Sequence, residues 1–187
     1  MPDVPQDDKW VGDVHRFWFE ELAQADWFKK SDATDDAIRS RFMPVHGELM
    51  AQSGNPGSAS PLAMLAAIIV LDQFSRNMFR GTLRAFASDT IAFQLARDVV
   101  DRGLDTALTK NQRLFAYLPF EHSENAADQA RSIELMGELK DEKLTEYAVA
   151  HKVIIDRFGR FPHRNTILGR PSTDEEIAFL KEPNSSF

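Results

Sequence analysis

Ser60-Pro61-Leu62-Ala63-Met64-Leu65-Ala66-Ala67-Ile68-Ile69-Val70-Leu71-Asp72-Gln73-Phe74 is the stretch whose reading decides the fold. Serine followed by proline marks a helix start. The hydroxyl accepts from an orphan backbone N–H, and proline at the first helical position gives up an N–H that has no partner there anyway. From Leu62 to about Phe74 the chain is apolar on nearly every side. A helix without a polar face is buried, so this one is expected at the centre of an all-α core. Its purely apolar part, Leu62 to Leu71, is about half of the roughly 20 residues needed to cross a bilayer.

Upstream, Ser53-Gly54-Asn55-Pro56-Gly57-Ser58-Ala59-Ser60 is the clearest loop. Ser31 to Met50 reads as a helix, with Asp32, Asp35 and Asp36 at its positive end and Ile38, Phe42, Val45 and Leu49 as its apolar stripe. Pro44 predicts a kink or an early break inside it. Trp10, Val14, Phe17 and Trp18 form one face of a first helix, closed by Asp26-Trp27-Phe28, and residues 1–9 are expected to be a loose tail. Downstream, Ser75 to Ser88 is expected to be irregular. Ser88 or Asp89 caps a helix ending at Arg102-Gly103. Thr109-Lys110-Asn111-Gln112 is a capping box for a short helix that Pro119 closes. Further helices are expected from Ser123 to about Lys140, from Leu144 to Phe158, and from the Ser172-Thr173-Asp174-Glu175 cap to Leu180, with Pro162 to Pro171 as loop. The expectation is about eight antiparallel helices forming one domain over residues 10–187, without a convincing strand and without a roughly 34-residue repeat.

Composition removes several functions. There is no cysteine, so a thiolate nucleophile, a disulfide framework and a cysteine-bound metal are excluded. Net charge is −7, which disfavours nucleic acid and anionic lipid as partners. The acidic, prolyl start lacks the pattern of a signal peptide, so a cytoplasmic location is expected. No Gly-rich dinucleotide or phosphate loop and no nucleophile elbow occurs, and no cofactor is expected.

The 14 arginines are unevenly placed: Arg76, Arg80 and Arg84 fall in one lysine-free segment, and Arg157, Arg160, Arg164 and Arg170 in another. Arginine without lysine suits planar pairing with a carboxylate or a bound anion. Three segments interleave such charges with apolar residues. In the first, Leu71 to Gly81, Asp72 and Arg76 stand four apart and can pair on one helical face, and Gln73 and Asn77 repeat the spacing. In the second, Tyr117 to Arg131, His122 is expected at a helix start, where the dipole keeps it neutral, and Asp128 and Arg131 are expected partly buried. The third gathers His151, Asp156, Arg157, Arg160, His163, Arg164 and Asn165 around a glycine-ended helix. No tight histidine spacing supports a metal site, and none is expected. His15 and His46 read as surface or edge residues.

Leu71-Asp72-Gln73-Phe74-Ser75-Arg76-Asn77-Met78-Phe79-Arg80-Gly81 with Ala85-Phe86-Ala87-Ser88-Asp89 resembles a signature of the bacterial family called domain of unknown function 924. Glu121-His122-Ser123-Glu124 with Asp128-Gln129, and Arg157 through Asn165, resemble it too. Ser75 stands where that family is expected to carry proline. The resemblance runs from about Val14 to Leu180. It implies an all-helical fold similar to a tetratricopeptide-like right-handed stack, and it implies no activity.

Three readings follow. In the first, Asp72, Arg76, Asn77, Asp128, Arg131, His151, Arg160 and Arg164 line a polar pocket between helices for an anionic small molecule, with His122 and His163 as proton-transfer groups. In the second, a helical scaffold takes a peptide or protein partner. In the third, the same residues form a buried ion-pair network that fixes helix register.

Overall fold

The structure, a computed structural model, describes residues 9–57, 59–183 and 185–186. Residues 1–8 of the expected tail lie outside the described residues. Among the described residues the chain is all-helical, without a strand. The α-helical segments are α1 (Lys9–Arg16), α2 (Asp32–Ala51), α3 (Pro61–Ile68), α4 (Ser75–Met78), α5 (Asp89–Asp101), α6 (Lys110–His122), α7 (Ala126–Glu138), α8 (Glu142–Phe158) and α9 (Asp174–Phe179). A π-turn, Ile69–Phe74, joins α3 to α4 without a break, so these segments make eight helices.

The chain divides into two compact units, Met1–Arg80 with Arg84–Pro119, and Gly81–Leu83 with Phe120–Phe187. In unit one, Ser60 caps α3 by accepting from Ala63 N, with Pro61 at the first turn. Residues 63–71 are all fully or nearly fully buried, as an all-round apolar helix requires. Aromatic side chains close around the end of this rod. Phe74 meets Phe42 at 4.8 Å and Trp18 at 5.4 Å, and Phe115 meets Trp27 at 4.9 Å and Trp18 at 5.4 Å between ring centroids. Trp27 Nε1 donates to Trp18 O at 2.7 Å, so the closing turn after α1 is bound to α1's own continuation. Gly54 sits at φ +82 against Ile91, and a Cβ there would fall 2.3 Å from Ile91 Cγ2. Only glycine fits.

Five local expectations are corrected. α2 continues through Pro44 to Ala51. Pro44 and Ser40 are both exposed, so the carbonyl that loses its helical N–H faces water instead. α6 likewise passes Pro119 and ends at His122. The continuous buried run from Leu114 to Glu121 holds the turn despite one missing bond. Residues 75–78 are helical because the rod runs on through the π-turn, and irregular chain begins only after Met78. The cap of α7 is Asn125, whose side chain accepts from Ala127 N and Asp128 N, in place of Ser123. The last capping box is Thr173 with Glu176, one residue later than the sequence pattern suggested.

In unit one, Tyr117 is fully buried and donates to Asp105 Oδ2 at 2.5 Å while accepting from Arg113 Nε at 2.8 Å. Burial, and then the Asp105 carboxylate, push its phenol well up. Tyr117→Phe removes the donor from a buried carboxylate, and the expected cost is about 1–3 kcal/mol. Urea unfolding checks it, and a change inside ±0.5 kcal/mol would contradict the assignment.

In unit two, α7 and α8 pack side by side. α8 ends at Gly159, φ +68, which turns the chain into Phe161 and the 3₁₀ turn Pro162–Arg164. Ile154, Ile155, Phe161 and Phe179 form a small core there, with Phe158 against it. Glu176 closes the unit's C-terminal end. It is nearly fully buried, receives Arg160 Nε at 2.6 Å and Nη2 at 2.8 Å, and accepts from Thr173 N. The Arg160 hydrogen bonds hold its carboxyl down at about 2 against the opposing effect of burial.

Candidate functional site

The sequence candidates fall into two clusters, one in each unit. In unit one the π-turn is the framework. Its ladder runs one residue longer than an α-helix, which leaves side chains to serve carbonyls on that stretch. Ser88 Oγ donates to Leu71 O at 2.5 Å and Arg76 Nη1 to Asp72 O at 2.8 Å. Asp72 is 1 % exposed and lies 3.1 Å from Arg76 Nη1, as the four-residue spacing predicts. Arg76 also grips Asp89 with both Nη atoms, at 2.9 and 3.0 Å. Gln73 donates to Asp72 Oδ2 at 2.7 Å, and Asn77 donates to Asp35 at 2.7 Å. Asp35 also receives Arg80 Nε and Nη2, at 2.7 and 2.8 Å. Burial opposes ionisation of Asp35, yet these donors outweigh it and keep the carboxyl below its usual range. These contacts form two arginine–carboxylate groups, Asp72–Arg76–Asp89 and Asp35–Asn77–Arg80.

In unit two, His122 is the last residue of α6, which corrects the expected position at a helix start. The carbonyls at that C-terminus lack helical partners, and side chains serve them. Gln129 Nε2 donates to Glu121 O and to Ser123 O, both at 2.7 Å, and Arg164 Nη1 donates to His122 O at 3.0 Å. Arg164 is 7 % exposed and lies over the Phe161 ring at 4.5 Å. The His163 ring is 5.7 Å from the same ring, and so is that of His151. His151 Nδ1 hydrogen-bonds Tyr147 O at 2.8 Å and stands 3.4 Å from Glu121 Oε1. A carbonyl only accepts, so Nδ1 carries the proton and Nε2 the lone pair. Burial pushes His151 down to about 3, and the charges of His122, Arg164 and His163 push the same way, against the Tyr147 hydrogen bond. Three basic side chains from α8 and the 3₁₀ turn therefore gather on the Phe161 ring, and one of them, Arg164, ties the end of α6 to them through the His122 carbonyl.

The remaining candidates stand apart from this cluster. Arg131 is exposed and pairs with Glu134 at 2.7 Å, which corrects its expected partial burial. Asp128 accepts from Ser123 Oγ at 2.6 Å, so it steadies the turn before α7. Arg160 is held by Glu176, Arg157 by Glu175 at 2.9 Å, and Arg170 by Glu124 at 2.7 and 3.0 Å. Glu176 was not singled out in the sequence, and Glu124 and Glu175 were named there without these arginine partners. Gln129 was also missed, although Asp128-Gln129 lies in a stretch the family resemblance picked out. His46 was misread. It is buried, with Nε2 2.8 Å from Ser75 Oγ, and His15 Nε2 reaches Leu62 O at 2.9 Å.

A groove of about 590 Å³ lies in unit one beside α1 and the end of α2, lined by Trp10, Val45, Glu48, Leu49, Asn55 and Pro56. It contains none of the candidates. Among the described residues no group of three histidine or carboxylate side chains is placed to hold a metal ion, and no helix is long and apolar enough to cross a membrane.

Fold and clusters together define an all-helical protein with buried arginine–carboxylate networks. Within that class the chain belongs to the family described as bacterial protein of unknown function, DUF924, whose profile matches residues 14–184. Its structure is similar to that of an Agrobacterium tumefaciens protein of unknown function, with a TM-score of 0.86 and 37% identity, covering 91% of this chain and 96% of that one. No curated protein matches the chain.

Proposed function

We propose that unit two takes an anionic small molecule at the basic cluster of His122, His151, His163 and Arg164. One observation supports this reading: the His151 and His163 rings and the Arg164 guanidinium gather on the Phe161 ring at 5.7, 5.7 and 4.5 Å, and Arg164 reaches the His122 carbonyl at 3.0 Å, so basic groups from three elements converge. An anion complements such a gathering, and an arginine face is suited to oxyanion geometry. Within this reading His122 and His163 are the proton-transfer groups. Asp72, Arg76, Asn77, Arg131 and Arg160 act in it as framework, consistent with their carboxylate and arginine partners, and Asp128 does so through Ser123.

The test is thermal unfolding of the full chain against inorganic phosphate and citrate at constant ionic strength. Ligand at about a hundredfold its Kd stabilises by about 2.7 kcal/mol, so a saturable rise in Tm is expected, abolished in His163→Gln. No saturable rise with either anion, or an equal rise in His163→Gln, defeats the reading and leaves the peptide-scaffold alternative.

A further inference from the structure

The π-turn of unit one carries a second buried cluster. His46 Nε2 lies 2.8 Å from Ser75 Oγ, Ser75 Oγ lies 2.7 Å from Ser88 Oγ, and Ser88 Oγ lies 2.5 Å from Leu71 O. Ser75 and Ser88 are fully buried, and His46 nearly so, with its ring edge-on to Phe79 at 5.2 Å. A histidine beside a serine suggests a base activating a nucleophile. The direction of the hydrogens decides otherwise.

The Leu71 carbonyl can only accept, so the single hydrogen of Ser88 goes to it. Ser88 then accepts from Ser75, which uses the single hydrogen of Ser75. Ser75 can therefore only accept from His46. We infer that His46 is a fixed hydrogen-bond donor, in the Nε2–H form, at the head of a one-way chain from His46 through Ser75 and Ser88 to Leu71 O, and that this chain positions the Asp72–Arg76–Asp89 ion cluster. Ser75 accepts a hydrogen bond from the imidazole and donates its own hydrogen to Ser88, so His46 has no lone pair aimed at the Ser75 hydroxyl and Ser75 is not an activated nucleophile. The positioning follows from adjacency. Leu71, Ser75 and Ser88 each immediately precede a member of the ion cluster, Asp72, Arg76 and Asp89. Locking the first three residues to one another fixes the start of α5 against the π-turn at the register where Arg76 reaches both carboxylates. A neutral His46 suits the donor role, because burial and then the nearby Arg84 disfavour its charged form.

Two measurements on the full chain test this. Long-range ¹H–¹⁵N NMR above pH 7.5 is expected to find the His46 proton on Nε2, and finding it on Nδ1 overturns the inference whatever any variant does. The Arg76 guanidinium signals, slowed in exchange by the two-pronged grip of Asp89, are expected to persist in His46→Gln, which keeps an N–H donor, and to collapse in His46→Leu. Unchanged Arg76 signals in His46→Leu overturn the positioning role. Labelling of Ser75 by an aryl sulfonyl fluoride also overturns the inference, and none is expected.

Discussion

Phe74→Ala is expected to cost about 3–5 kcal/mol, the range for truncating a fully buried aromatic ring. Phe74 has no exposure and touches Phe17, Trp18 and Phe42. These rings come from two elements, α2 and the π-helical continuation of α1, so no single side-chain shift closes the cavity. Loss of the offset and edge-on contacts adds to the lost burial. Equilibrium urea unfolding followed by tryptophan fluorescence checks it, because Trp10, Trp18 and Trp27 all belong to unit one. A loss below about 1 kcal/mol would show that the aromatic cluster repacks and does not set unit one's stability.

Acid is expected to weaken unit two through His151. The unfolded chain takes up this proton near the ordinary histidine value of 6.5, while the native chain resists until about 3. Between those values the unfolded state holds more protons, so stability falls as pH falls, by at most about 1.4 kcal/mol per pH unit from this one group. Above pH 6.5 both states are neutral and the group contributes nothing. His46 and His15 are lowered too and tilt the whole protein the same way. The effect of His151 therefore has to be read as a difference. His151→Phe keeps an aromatic ring against Phe161 and is expected to flatten the slope of stability against pH between 6.5 and 5 by close to that limit, measured by circular dichroism in urea. Equal slopes, or a native His151 that titrates near 6.5 by NMR, would refute the account.

Helix identity was legible where a local rule is strong. Ser60-Pro61, Thr109 with Gln112, and glycines 103 and 159 each mark a boundary that chain-local chemistry enforces, and the structure places them so. Pro44 and Pro119 misled because proline's cost is local while the benefit of continuing the helix is spread over burial and solvent access, neither of which periodicity reveals. The Asp72–Arg76 pair was legible because both residues ride one helix. Asp89, Asp35, Glu124 and Glu176 were not, since their arginines lie 13, 45, 46 and 16 residues away. His46 illustrates the same limit. On an amphipathic helix it reads as an edge residue, and the distant Ser75 and Phe79 pack against it where it is buried.

Arg164 has one consequence for any guest of unit two. The N–H that it gives to the carbonyl of His122 also holds down the final turn of α6. An anion that recruits this same hydrogen takes it from the backbone. Occupancy would then be linked to fraying of residues 121–123, and a chemical-shift change in their amides would track saturation, even for a guest that never touches them.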